Sequence, residues 1–245
     1  MANPLTLPAL TYSITAGLFL WAGCAAPETS ATEEATTTSA QPEKSEWISL
    51  FDGSSLDAWR DYKGQTISWK IEDGALTTDG GIGDIVTKDT FGNFELEFDW
   101  KISEAGNSGV LYLVQDGEAY QQAHETGPEY QIIDADNFTK KNDYPLEETQ
   151  KTAANYALHT AEGASMKPLQ EYNHGKIVVN DGHVEHWLNG KKVVAYDLWT
   201  DAWKQQVAQT KFKDMPGYGA SKEGHIALQD HQDRVWFRNI RVKRL

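Results

Sequence analysis

The chain has 245 residues and a net charge of −14, with 22 Lys and Arg against 36 Asp and Glu. That balance leaves no basic surplus to displace counterions from a nucleic acid or to hold an anionic lipid surface. One Cys excludes a disulfide framework and a Cys-built zinc site, and the nine Trp and ten Tyr serve either as core or as flat platforms for sugar rings.

Residues 1–26 carry no charge. Their apolar stretch Ile14–Ala22 has the length of a signal-peptide core and is too short to cross a bilayer comfortably. It runs into Ala22-Gly23-Cys24, and Ala-Gly-Cys after such a run resembles a bacterial lipobox. Residues 1–23 are therefore expected to be a removed leader and Cys24 a lipidated N-terminus. The alternative is a simple secretory leader. A lipid on Cys24 would be the chain's membrane contact and would place an exported lipoprotein on a periplasm-facing membrane or the cell surface. Residues 24–46 contain no aromatic residue, Val, Leu or Ile. They cannot bury enough surface to offset the entropy of ordering, so they predict a disordered acidic tether. Setting aside its five Glu and one Lys leaves −10 on residues 47–245, which are expected to form one domain.

Alternation dominates this body. Ile67–Ile71 alternates and turns through Glu72-Asp73-Gly74 into Ala75–Thr77. In Phe94–Trp100, Phe94, Leu96, Phe98 and Trp100 share one face, and Glu95, Glu97 and Asp99 the other. Lys176–Asn180, His183–Leu188 and Lys191–Tyr196 form a meander through Asp181-Gly182 and Asn189-Gly190, both suited to type I′ turns. Leu198–Val207 is the best helix candidate. His225–Leu228 and Val235–Val242 supply two further strands. Many short strands with Gly-rich turns predict an all-β sandwich or jelly roll of antiparallel sheets.

Three carboxylates on one strand invite comparison with glycosidases. A retaining pair sits about 5–5.5 Å apart, a spacing that Glu97 and Asp99 could roughly meet. A solvated outer face is the favoured reading of the same pattern.

Polar residues interrupt four other stretches. Gly106-Asn107-Ser108-Gly109 is a polar turn before Val110–Val114. In Gly127–Asp134, Glu129, Gln131 and Ile133 share a face opposite Tyr130 and Ile132. The meander puts His186 on the apolar face, where a hydrogen-bonded core role is favoured, and Trp187 on the polar one, a place for a sugar platform. In Gly224–His231, Ile226 and Leu228 face the core, and Ala227, Gln229 and His231 face away. Arg238 alternates with Trp236 and Ile240, which predicts a buried guanidinium paired with Asp134 or Asp230. No phosphate loop, nucleophile elbow, zincin helix or calcium loop is present.

At these stretches the chain resembles the 3-keto-disaccharide hydrolase family, which takes in 3-keto-glucoside 1,2-lyases and 2-hydroxy-3-ketoglucal hydratases. The likeness rests on Leu50–Trp59, Asn107–Gly109, Gly127–Asp134, His186–Gly190, Lys211–Lys213 and the closing Gly224–Ile240. It spans about residues 47–245. Gln232 stands where the family usually has Gly, Glu171-Tyr172-Asn173 replaces Glu-Trp-Asn, and Lys151–Tyr156 is a loose version of a Thr-Gly-x-x-Tyr loop. The resemblance implies a concanavalin A-like jelly roll with a concave sheet facing carbohydrate, and an oxidised 3-keto-glycoside as substrate.

A 3-ketone acidifies the C2 hydrogen of a hexoside. Its removal and loss of the C1 aglycone need a base, an acid and donors to the 3-oxygen. The resemblance and this chemistry leave His231 or Glu129 as base, with the other as acid. Asn107, Gln131 and Gln229 are candidate donors, Tyr156 and Trp187 candidate ring supports, and Asp134 and Arg238 further binding residues. A divalent metal on Glu129, Asp134 and His231 could polarise the ketone. A lectin-like binding module and a conventional glycosidase using Glu97 and Asp99 are the competing readings.

Overall fold

Alternating apolar and polar residues with turns on Gly, Asn and Asp dictate stacked antiparallel sheets. The structure, a computed structural model, describes residues 46–64 and 66–245. The expected leader, Cys24 and the tether through Ser45 lie outside the described residues. The first strands are β1 (Ile48–Phe51), β2 (Trp59–Asp61), β3 (Lys70–Glu72), β4 (Ala75–Thr78) and β5 (Ile85–Thr87). Next come β6 (Phe94–Ile102), β7 (Asn107–Val114), β8 (Glu129–Ile133) and the helix α1 (Ala135–Asn142). The meander β9 (Asn173–Asn180), β10 (His183–Leu188) and β11 (Lys191–Asp197) leads to helix α2 (Asp201–Val207), β12 (His225–Leu228) and β13 (Val235–Arg244).

One sheet has the order β11-β10-β9-β6-β13-β4-β3, with β1 added on β13; the other has the order β2-β5-β12-β7-β8. Sequence-distant strands are neighbours in both, the crossover pattern of a jelly-roll sandwich. The inner faces form one core. Leu96, Phe98, Trp100, Ile177 and Phe237 of the large sheet share it with Tyr112, Tyr130, Ile132, Ile226 and Leu228 of the small one. Phe98 meets Tyr130 edge-on across the gap, ring centroids 5.4 Å apart.

The predicted alternation holds in β6, where buried and half-buried residues follow one another without a break. Both meander turns have positive φ at their two central residues, 48° and 88° at Asp181 and Gly182, 50° and 82° at Asn189 and Gly190, as type I′ turns require. α2 starts three residues later than predicted because Thr200 caps it, its Oγ1 accepting from the Trp203 amide at 3.1 Å. α1 has no buried residue, so no apolar stripe announced it. The Ile67–Ile71 strand survives only as β3.

Arg238 corrects an expectation. Its side chain is exposed on the outer face of the large sheet, over the Tyr172 ring at 3.8 Å and within 3.3 Å of Asp99. Asp134 and Asp230 are not its partners. The reason is a bulge: the β13–β6 register gains a residue between Arg238 and Arg241, and Asn239 there has φ 52°. Alternation restarts past the bulge, so Ile240 turns inward while Trp236 and Arg238 point out.

Candidate active site

The outer face of the five-stranded sheet gathers polar side chains from its adjacent strands. On β12, Ile226 and Leu228 enter the core while Ala227 packs with Val86 and Leu111 on the other side. Gln229 continues that outer row, its amide donating to Gly109 O at 2.9 Å and its carbonyl accepting from Ser108 Oγ at 2.8 Å. On β8, Glu129 and Gln131 take the same outward positions. The loop after Lys151 lies against β8 as a further edge: Ala153 N donates to Gln131 O at 2.8 Å and Tyr156 N to Glu129 O at 3.1 Å. That pairing delivers Tyr156 beside Glu129.

These rows enclose a cavity of about 190 Å³ lined by Asp84, Asn107, Gln122, His124, Glu129, Gln131, Tyr156, Lys211, Phe212, Gln229, Asp230 and His231. The sequence-derived residues Asn107, Glu129, Gln131, Tyr156, Gln229 and His231 thus come together. Larger hollows lie elsewhere, one of about 510 Å³ beside Asp134 and one of about 540 Å³ beside Glu97 and Asp99. Beside the second, Glu97 and Asp99 are paired with Arg241 and Arg238.

Glu129 is the central group. Burial pushes its pKa up to about 8, opposed by the Lys211 charge and reinforced by Asp84. Its side chain packs against Gly109 on the neighbouring strand, where any Cβ would collide with it. Asp84 is pushed up to about 6, first by burial and then by the charge of Asp230, against a hydrogen bond from the Asp230 amide. Burial, Lys211 and His231 lower the pKa of His124 against the charge of Glu125. Lys211 Nζ sits 4.3 Å from the centre of the Tyr156 ring. Asn107 Oδ1 is buried with no hydrogen-bond partner.

Two more expectations fail. Asp134 is buried at the head of α1, where its Oδ2 accepts from Ala105 N at 2.9 Å and Asn137 Nδ2 at 2.8 Å. Asp134 lines the hollow of about 510 Å³, not the cavity that holds Glu129 and His231, so the three-residue metal set does not assemble. Among the described residues no group of three or more His, Cys, Asp or Glu is placed to hold a metal ion. Trp187 does face away from the core, but on the large sheet, the far side of the sandwich. Lys176 Nζ covers its ring at 4.1 Å and its Nε1 donates to Glu185 at 2.8 Å. His186 is the core residue the pattern favours: Nδ1 donates to Ala153 O at 3.0 Å and Nε2 accepts from the Tyr112 hydroxyl at 2.8 Å.

Sequence reasoning missed Asp84, Gln122 and His124, left Lys211 and Phe212 without a role, and misjudged Asp230. One signal pointed to Asp84, a carboxylate set between a glycine-rich run and the apolar Ile85-Val86. The others sit on loops and short turns that only the fold brings to the sheet.

A family model described as a 3-keto-alpha-glucoside-1,2-lyase-like domain matches residues 46–243. A 3-keto-disaccharide hydrolase of Bacteroides thetaiotaomicron is 34% identical over 226 residues, covering 80% of this chain and 78% of that protein. A Parabacteroides distasonis crystal structure provisionally assigned as a glycosyl hydrolase is 39% identical, with a TM-score of 0.77 over 81% of this chain and 94% of that one. A second structure from the same organism, assigned likewise, is 28% identical with a TM-score of 0.62, covering 82% and 100%.

Proposed function

The chain belongs to the 3-keto-alpha-glucoside-1,2-lyase-like family, and from that premise we propose that it cleaves 3-keto-glycosides in the cavity around Glu129. The observation that carries the reading is the buried Glu129 carboxyl, its pKa pushed up to about 8 by burial, lining one cavity with Asn107, Gln131, Tyr156 and Gln229. Such a group donates a proton where an ordinary carboxylate would only accept one.

The chemistry starts at C2. The 3-ketone acidifies the C2 hydrogen, a base removes it, and the electron pair delocalises onto the 3-oxygen. As the ketone re-forms, the C1–O bond breaks and Glu129 protonates the departing oxygen. The product is a 2-hydroxy-3-ketoglucal. Adding water across C1–C2, oxygen to C1 and hydrogen to C2, makes the overall result hydrolysis. Asn107, Gln131 and Gln229 stand as donors on the sheet floor, Lys211 supplies positive charge for the enediolate, and Tyr156 lines the wall for the ring. His231, exposed at the cavity mouth, is a candidate base or a contact to the aglycone, and His124 lines the same cavity.

The test compares a glucoside with its 3-keto derivative. The protein is expected to release aglycone only from the oxidised sugar, with C2 hydrogen exchanging into deuterated solvent. Binding of both sugars without turnover or exchange would make it a lectin. Cleavage of the unoxidised sugar would make it a conventional glycosidase.

The N-terminal Ala22-Gly23-Cys24 supports a second proposal, that the domain is displayed from a membrane by lipid on Cys24. One acyl chain binds only marginally, so the anchor would carry several. Cys24→Ser is expected to move the protein to a soluble exported fraction; retention in membranes would indicate another attachment.

A further inference from the structure

Asp84 directly precedes β5, after the Gly80–Gly83 loop, and lines the same cavity as Glu129. Its Oδ1 accepts from the Asp230 amide at 2.9 Å. Asp230 is itself spent, because its two oxygens accept from the amides of Gly81, Ile82, Gly83 and Gln232 at 2.6–3.0 Å. The loop wraps one aspartate, and the backbone of that aspartate pins the other. Asp84 is therefore held in place yet left with acceptor capacity toward the cavity. A second, independent feature marks a ligand there. Asn107 Oδ1 is buried in the same lining without a partner, a cost that a bound donor such as a sugar hydroxyl removes.

Resting on the 3-keto-glycoside reading, we propose that Asp84 is the catalytic base that takes the C2 proton, working opposite Glu129 as the acid. In the elimination the C2–H bond breaks and its proton forms an O–H bond on Asp84. The electron pair passes through the 3-oxygen and returns to form C1=C2 as the C1–O bond breaks. The leaving oxygen takes the proton of Glu129. The site then holds a protonated Asp84 and an ionised Glu129, the states needed to add water. Glu129 accepts a proton from the water whose oxygen joins C1, and Asp84 returns its proton to C2. Nothing is oxidised or reduced, and both carboxyls end as they began.

The electrostatics agree with these roles. With one carboxyl titrating at about 6 and the other at about 8, Asp84 is mostly ionised and Glu129 mostly protonated near neutral pH. The groups facing Asp84 are Asp230, Glu129 and Tyr62, with Lys211, His124 and His231 around the same cavity.

The experiment uses the full chain and a 3-keto-glucoside with a nitrophenyl aglycone. C2 exchange is followed by proton NMR in deuterated water, and aglycone release by absorbance. Asp84→Asn retains an oxygen for the Asp230 amide, so a thermal melt should show an intact fold. Exchange and release are both expected to fall ~10²–10⁴-fold. Asp84→Glu should recover part of the exchange and move the acid limb of kcat/KM away from about pH 6. Asp84→Asn retaining exchange within about threefold, or His231→Ala abolishing it while Asp84→Asn does not, overturns the assignment. If the unaltered protein neither exchanges nor cleaves the 3-keto sugar, the functional reading fails first and Asp84 falls with it.

Discussion

Burying the carboxyl of Glu129 makes the stability of the protein depend on pH. Its folded pKa of about 8 lies above the ordinary 4.5, so the folded chain holds that proton more tightly than the unfolded chain. The benefit is complete below pH 4.5 and is lost as pH rises through 8. Glu129→Gln keeps the shape and cannot ionise. It is expected to melt several degrees above the unaltered protein near about pH 9 and at the same temperature near about pH 4. Each pKa unit is worth about 1.4 kcal/mol, and about 2–4 °C accompanies each kcal/mol at this chain size. Asp84 follows the same trend between 3.8 and about 6, but in both proteins, so the comparison isolates Glu129. A melting gain that does not change with pH would mean that the carboxyl is not held protonated. The same substitution should slow aglycone release most for poor leaving groups, which need the acid most.

The elements around the cavity carry a different kind of strain. Ala153, beside β8, and Gln232, beyond β12, both have φ of 66°, the left-handed region where a Cβ costs about 1–2 kcal/mol. They are positions where the family resemblance leads one to expect Gly. Gly also gains about 0.4–1 kcal/mol of unfolded-state freedom, so Ala153→Gly and Gln232→Gly should each raise the melting temperature only slightly, read by calorimetry. A fall would mean that side-chain packing outweighs the strain. What the sequence revealed and what it hid divide along the same elements. Alternation within a strand was legible: it put Glu129 with Gln131, and Gln229 with His231, on the face where the cavity lies. Features set between strands were not. The bulge at Arg238 and Asn239 reversed one inference. Alternation gave the correct face for Trp187 but not which sheet of the sandwich that face would cover. Asp84, His124 and Lys211 reach the site from a strand end and two short turns, through contacts no local pattern encodes.

On the scale of the whole molecule the two sheets divide the work. The outer face of the large sheet is an ion-pair ladder. Glu95 pairs with Lys176 and Lys243, Glu97 with Arg241, and Asp99 with Arg238, while His174 Nδ1 hydrogen-bonds Asp99 Oδ1 at 2.9 Å. Burial raises the Asp99 carboxyl, but hydrogen bonds from His174, Asn239 and Arg238 outweigh it and hold it below the ordinary range. A retaining glycosidase needs one carboxyl of its pair kept protonated as the acid. Asp99 is held ionised, and Glu97 accepts from Arg241 Nε at 2.9 Å and Nη2 at 2.6 Å. The ladder's carboxylates are thus occupied by cations on the sheet surface, which argues against their serving as a glycosidase pair. The doubly substituted Glu97→Gln, Asp99→Asn protein should keep kcat/KM on the 3-keto-glucoside within about threefold. Each exposed pair removed should cost no more than about 1 kcal/mol of stability, measured by urea unfolding. A loss of about a hundredfold in activity with the fold intact would move the chemistry to the large sheet and revive the conventional glycosidase, because only a residue acting on the sugar carries an effect of that size.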